Sequence, residues 1–154
     1  MGVIHRLSKT SELVSFDRDF SVWAFTVSHS QLLLRSPKGG TAGTRVDIGF
    51  SGVIGFIGGV DYPGLAIRPS NDAEIDALTG FVGLKAVRSA EAAYALVGVG
   101  GHSGFVLANS CEWAEDEGDF SEPSQVFLPT ATLSGLARPD DWPSAEEVRA
   151  RFRP

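Results

Sequence analysis

The feature that most constrains this chain is the run from Phe20 to Ser36: Phe-Ser-Val-Trp-Ala-Phe-Thr-Val-Ser-His-Ser-Gln-Leu-Leu-Leu-Arg-Ser, followed at once by Pro37. Its first half is rich in aromatic and β-branched residues, which fit a pleated, packed surface better than a helix. Ser28-His29-Ser30 divides the run into two strands, and Pro37 ends the second because proline cannot donate to a sheet ladder. Phe20, Val22 and Ala24 alternate with Trp23, Phe25 and Val27, and both sets are apolar. The first strand is therefore expected to be central and covered on both faces.

The same punctuation recurs downstream. After the glycine-rich loop Lys38-Gly-Gly-Thr-Ala-Gly-Thr44, the segment Arg45 to Phe50 sets Val46, Ile48 and Phe50 against Arg45, Asp47 and Gly49. This predicts a half-buried strand. Further strands are expected over Val53–Ile57, Leu65–Arg68 and Tyr94–Val99, then from Phe105 to Ser110 with continuation to Trp113, and over Gln125–Leu128. Glycines between them mark turns and bends. Asn71 with Glu74 three residues on predicts a capped helix over 72–79, closed by Gly80. Ser144-Ala-Glu-Glu147 is a second capping box, and Val148 and Phe152 lie four apart, predicting a C-terminal helix over 145–152. Residues 81–93 fit either a helical turn or a strand lead-in, and 1–19 and 129–143 read as loosely structured. Adjacent strands joined by short turns predict an α+β, β-dominated fold: a mainly antiparallel curled sheet, or a partly open barrel or sandwich, with the C-terminal helix packed on it.

The 154 residues suit one domain spanning 1–154. The single cysteine, Cys111, excludes an internal disulfide and a multi-cysteine metal site, and fits a reducing compartment. No apolar run reaches the length of about 18 residues that a membrane span needs. The N-terminus has no long apolar stretch of the kind that leads a secretory signal. The expectation is a cytoplasmic protein without a cofactor or a metal.

The net charge is −6, and its location matters more than its size. Glu112, Glu115, Asp116, Glu117, Asp119 and Glu122 fall within eleven residues that contain no Lys or Arg. Without those six, the 19 acids become 13 and balance the 13 bases. The whole surplus resides in 112–122. Nucleic acid is disfavoured as a partner, because phosphate binding needs a basic patch. A basic protein partner is favoured.

Several motifs come close to catalytic patterns and fail. Gly101-His102-Ser103-Gly104-Phe105 approaches a nucleophile elbow, but Phe105 replaces the last glycine, a strand and not a helix follows, and no histidine follows Ser103. Gly98-Val-Gly100-Gly-His-Ser103 lacks the third glycine and the helix of a dinucleotide fingerprint. The loop 38–44 lacks the order of a phosphate loop. His5, His29 and His102 have no metal-ligand spacing, and Glu115-Asp-Glu-Gly-Asp119 lacks the ligand pattern of an EF-hand.

Two His-Ser pairs, His29-Ser30 and His102-Ser103, stand 73 positions apart, each followed by a spacer and three apolar residues. The likeness fits two hairpins built alike, and it fits a duplicated unit.

Three functions follow as expectations. The first is a non-enzymatic binding or regulatory domain that meets a basic protein through Glu112, Trp113, Glu115, Asp116, Glu117, Asp119 and Glu122. Trp113 would be the aromatic anchor among steering charges. An immunity-type inhibitor of a cationic toxin such as a nuclease is one such domain. The second is a small-molecule site or enzyme, which requires His29, Ser30, His102 and Ser103 to converge. The third is a structural or oligomer-forming module, favoured if the apolar strand 20–28 is an exposed edge.

Overall fold

The computed structural model describes residues 3–101 and 103–127. The expected C-terminal helix over 145–152, the segment 129–143, Leu128 and His102 lie outside them. In chain order the strands and helices are β1 (Ile4–Arg6), β2 (Val14–Phe16), β3 (Phe20–Thr26), β4 (Gln31–Ser36), β5 (Arg45–Ser51), β6 (Gly55–Gly58), β7 (Asp61–Tyr62), β8 (Leu65–Pro69), α1 (Asp72–Val82), α2 (Leu84–Ser89), β9 (Ala92–Gly98), β10 (Ser103–Ala108) and β11 (Ser110–Asp116). The loosely patterned first 19 residues thus contain two short strands, and both are paired.

The strands form two antiparallel sheets, in the orders β1-β11-β5-β4-β3-β7 and β2-β8-β9-β10-β6. They pack face to face as an open sandwich rather than a closed barrel. Leu32, Leu34, Val46, Ile48 and Phe50 of the first sheet meet Leu65, Ile67, Tyr94, Leu96 and Val106 of the second in one buried cluster. The Phe50 and Tyr94 rings touch with centroids 5.5 Å apart. Alternate residues of β4 and β5 supply this face, as a period of two requires.

The expectation that the strand from Phe20 is covered on both sides fails beyond its first residues. Val22 pairs with Leu34, but Ala24 pairs with Leu33, so Trp23 is an extra residue in a β-bulge. A bulge resets the alternation. Val22 and Phe25, opposite the core residues Leu34 and Leu32, face inward, while Trp23 and Ala24 face out. On its other edge β3 pairs with β7 only at Phe20 and Ser21, and the Val22 N–H donates to the Val60 carbonyl at 2.7 Å. Beyond Val22 no strand pairs with that edge among the described residues. Trp23 is 42% exposed and Phe25 50% exposed.

The helix after Asn71 forms as expected at its start. The Asn71 side chain accepts from the Glu74 N–H at 2.9 Å, and the Glu74 carboxylate accepts from the Asn71 N–H at 2.9 Å. Its end is later than predicted: Gly80 is inside α1, and Gly83, at φ +91°, makes the break. A glycine inside a helix costs only about 1 kcal/mol, whereas the φ 91°, ψ 149° backbone of Gly83 is open to hardly any other residue. The expected continuous strand from Phe105 to Trp113 also divides. β10 stays in the second sheet, and after Asn109 the chain crosses so that β11 pairs with β5 in the first. The Asn109 N–H donates to the Ser51 carbonyl at 2.9 Å and locks this crossing. Residues 125–127, expected to begin a last strand, are irregular. No helix among the described residues is long and apolar enough to cross a membrane.

Candidate functional site

The outer face of the first sheet has its own buried layer, and charge lies at its centre. Leu33 and Arg35 on β4, Arg45, Asp47 and Gly49 on β5, and Ala114 and Asp116 on β11 share this face by register. The alternation of β5 suggested that Arg45 and Asp47 would meet solvent. Instead Arg35, Arg45 and Asp47 are each at most 2% exposed. The reason is the chain after β11, which folds back over this face. Val126 buries itself against Leu33 and Ala114, with Phe127 beside them. A Cβ on Gly49 would lie 2.8 Å from Val126 and 2.9 Å from the Phe127 ring, so the bare backbone of β5 makes room for the returning chain.

Burying two arginines is tolerable only if every charge is paired and every donor is used. Arg35 grips Asp47 through both carboxylate oxygens, at 2.7 and 2.9 Å. Arg45 grips Asp116 in the same bidentate way, at 2.9 and 2.8 Å, and stands 3.7 Å from Asp47. Two cations thus face two carboxylates in one layer. The remaining donors go to the backbone of the acidic loop. Arg45 donates to the carbonyls of Asp119 and Glu122 at 2.8 Å and of Pro123 at 3.2 Å. Arg35 donates to the carbonyl of Phe120. Gly118 passes so close that a Cβ would lie 2.5 Å from an Arg45 nitrogen. The two arginines therefore hold the loop 117–123 by its main chain and leave its side chains pointing away.

This scaffold sorts the six acidic residues into two groups. Glu112 is paired with Arg6 at 2.6 Å, Asp116 with Arg45, and Asp119 with Lys38 at 3.0 Å. Burial acts to raise the Asp116 carboxyl. Hydrogen bonds from Arg45 and from the Gly118 N–H, with the charges of Arg45 and Arg35, outweigh it and hold the group below the usual aspartate range. Glu115, Glu117 and Glu122 are exposed and have no cationic partner among the described residues. Glu115 only accepts from the Thr44 hydroxyl. These three residues line one open cavity of about 410 Å³, with Thr44, Arg45, Asp116 and Gln125 also in its wall.

Trp113 is not part of that surface. It packs half-buried against the main core, stacked on His5 at 4.2 Å and edge-on to Phe16 at 5.1 Å. The exposed aromatic residues nearest the loop are Trp23, from the bulge of β3, and Phe120, from the loop itself. Their rings meet edge to face with centroids 6.3 Å apart, and the Arg35 guanidinium sits 5.3 Å from the Trp23 ring. The sequence pattern does not reveal this pair, because it depends on the returning chain covering Leu33 and Ala114 while leaving Trp23 on the same outer face exposed. Phe120, an apolar residue alone among acids, was the available signal.

Of the two His-Ser pairs, His29, Ser30 and Ser103 are among the described residues. His29 and Ser30 close the β3–β4 hairpin, with Ser30 at φ +48° and its carbonyl accepting from the Val53 N–H at 2.8 Å. The next residue, Ile54, donates to the Leu107 carbonyl, so this turn lies near the Leu107 end of β10. Ser103 begins β10, four residues or about 13 Å along the strand from Leu107. A strand follows Ser103, as expected, and not the helix of a nucleophile elbow. No group of three potential metal ligands gathers among the described residues. No protein-family model, curated protein sequence or solved structure matches this chain.

Proposed function

We propose that this protein is a non-enzymatic binding domain that receives basic side chains of a protein partner in the cavity between Glu115, Glu117 and Glu122. One observation carries the reading. Three of the six clustered acids have their carboxylates committed to ion pairs of the fold, while the other three surround one cavity, Glu115 near the end of β11 and Glu117 and Glu122 on the loop that buried arginines hold by its main chain. A loop fixed in advance loses little conformational entropy on binding. Exposed carboxylates on such a loop steer and orient a cation more than they add raw affinity. An inhibitor that neutralises a cationic toxin, such as a nuclease, is a function of this class.

The test is calorimetric titration of the full chain with an octa-arginine peptide, against a Glu115→Gln/Glu117→Gln/Glu122→Gln variant. Each exposed pair is worth about 0.5 kcal/mol, so three together amount to roughly tenfold in affinity. Wild-type binding should weaken with salt, and the variant should bind about tenfold more weakly with a flatter salt dependence. Equal affinity and equal salt dependence for both proteins would overturn the reading.

A second reading draws on the unpaired edge of β3. Edge strands that lack charge, proline and cover are sites of association, and Trp23, Ala24, Phe25 and Thr26 have none of these protections in their own sequence. A structural or oligomer-forming module is the function that observation favours.

A further inference from the structure

The acidic loop and the unpaired edge of β3 are continuous. Trp23 belongs to the edge and touches Phe120 in the middle of the loop. The edge has two unlike sides. On the inner side, Val22 and Phe25 of β3, with Leu32, Ile54 and Phe56, line an apolar groove of about 310 Å³ between β3 and β6. On the outer side stand Trp23, 42% exposed, and Phe120, 61% exposed, followed by the carboxylates of the loop. Gly55 and Phe56 of β6, the last strand of the second sheet, form the far wall of the groove.

We infer that the partner binds by adding a strand to β3 along Trp23–Thr26, and that its binding segment alternates apolar with basic residues. This rests on the proposed function and names the chemistry of its partner. An extended partner can meet both sides of this edge at once. In an extended segment successive side chains point to opposite faces. Laid beside β3, every second residue meets the apolar groove, and the residues between meet Trp23, Phe120 and the loop. Lys or Arg at those intervening positions stacks on the exposed rings of Trp23 and Phe120, beside the acidic loop to which Phe120 belongs. The backbone groups on the outer edge of β3 supply the hydrogen bonds of the added strand. A helical partner could place charges on the loop, but it would leave this backbone edge unpaired.

The probe is a synthetic peptide, Lys-Val-Arg-Val-Lys-Val-Thr-Val, compared with the same peptide N-methylated at alternate backbone nitrogens, each titrated into the full chain. N-methylation keeps every charge and blocks the added ladder. The parent peptide is expected to bind, to protect amides within Trp23–Thr26 from hydrogen exchange, and to lose at least tenfold in affinity on N-methylation. Equal binding of the two peptides, with the glutamate-to-glutamine variant still weakened, overturns strand addition and leaves the acidic site standing. Binding of neither peptide at millimolar concentration overturns both. Two further outcomes overturn the choice of occupant. One is a dimer in which the β3 amides are protected without peptide. The other is a gain in peptide affinity on changing Arg149, Arg151 and Arg153 to Gln, because Val148-Arg-Ala-Arg-Phe-Arg153 has the same alternation.

Discussion

Replacing Arg45 with methionine removes the guanidinium on which the acidic loop is built, and its cost follows from what is left behind. Five hydrogen bonds disappear: two to Asp116 and three to the carbonyls of Asp119, Glu122 and Pro123. The three carbonyls belong to exposed residues, so water can replace the lost donor at small cost. The Asp116 carboxylate is different. Its side chain is 8% exposed, and without Arg45 it is a buried charge lacking its pair. Removing one partner of a buried pair costs about 3–5 kcal/mol, a large share of the roughly 5–15 kcal/mol that holds a domain together. For a chain of this length the melting temperature should fall by about 6–20 °C.

Urea denaturation followed by tryptophan fluorescence measures the loss directly. The midpoint should move and the slope should not, since the same surface is exposed on unfolding. The double variant Arg45→Met/Asp116→Leu should recover at least half of the loss, because no unpaired carboxylate then remains. Arg45→Lys should not recover it, since a single ammonium cannot serve a carboxylate and three carbonyls. A single variant within about 1 kcal/mol of wild type, or a double variant whose cost is the sum of the two, would refute the account of the loop.

Other expectations follow from the same coordinates. Gly58 and Gly104 face each other across β6 and β10, and the Tyr62 hydroxyl lies over both: a Cβ would stand 2.2 Å and 2.6 Å from it. Gly104→Ala should cost about 1–3 kcal/mol in a denaturant titration, as overpacking does, and Tyr62→Phe in the same chain should return part of it. Asp116 and Glu74, the latter held by Arg68, both have lowered pKa values in the folded state. A lowered folded pKa gives stability that is complete above the unfolded pKa and is lost as pH falls through the folded one. The urea midpoint should therefore hold steady near neutrality and fall below about pH 4, the ordinary carboxylate range. A midpoint unchanged down to pH 2 would contradict it. Burial pushes the Cys111 thiol well up, so a thiol reagent at pH 8 should modify it only in denaturant.

The elements that sequence alone foretold are those set by local chemistry. The hairpin at Ser28-His29-Ser30, the capping box at Asn71 and the antiparallel pairing follow from residues within a few positions of one another. What stayed hidden depends on distant chain. Arg45 and Asp47 looked like the wet side of a strand because nothing near them announces that 117–127 will cover them. Trp23 looked like a residue of a doubly covered strand because nothing near it shows that the chain covering Leu33 and Ala114 leaves it exposed, and Phe25 changes face through a bulge that the pattern does not show. The acidic cluster was legible as a cluster, but not its division. Only the positions of Arg6, Lys38 and Arg45 show that Glu112, Asp119 and Asp116 serve the fold. Trp113, placed among acids by sequence, alternates away from Glu112 and Asp116 and packs against the core.

The central claim is that charge at one fixed place, and not the overall deficit of −6, recognises a cation. The most direct measurement is amide chemical-shift mapping of the full chain during titration with octa-arginine, for wild type and for the Glu115, Glu117 and Glu122 to Gln variant. The account predicts shifts confined to Thr44, Arg45 and 115–125 in the wild type, and their loss in the variant. Shifts that gather instead around Asp17 and Asp19 or around Asp72 and Asp76, or that persist unchanged in the variant, would contradict it.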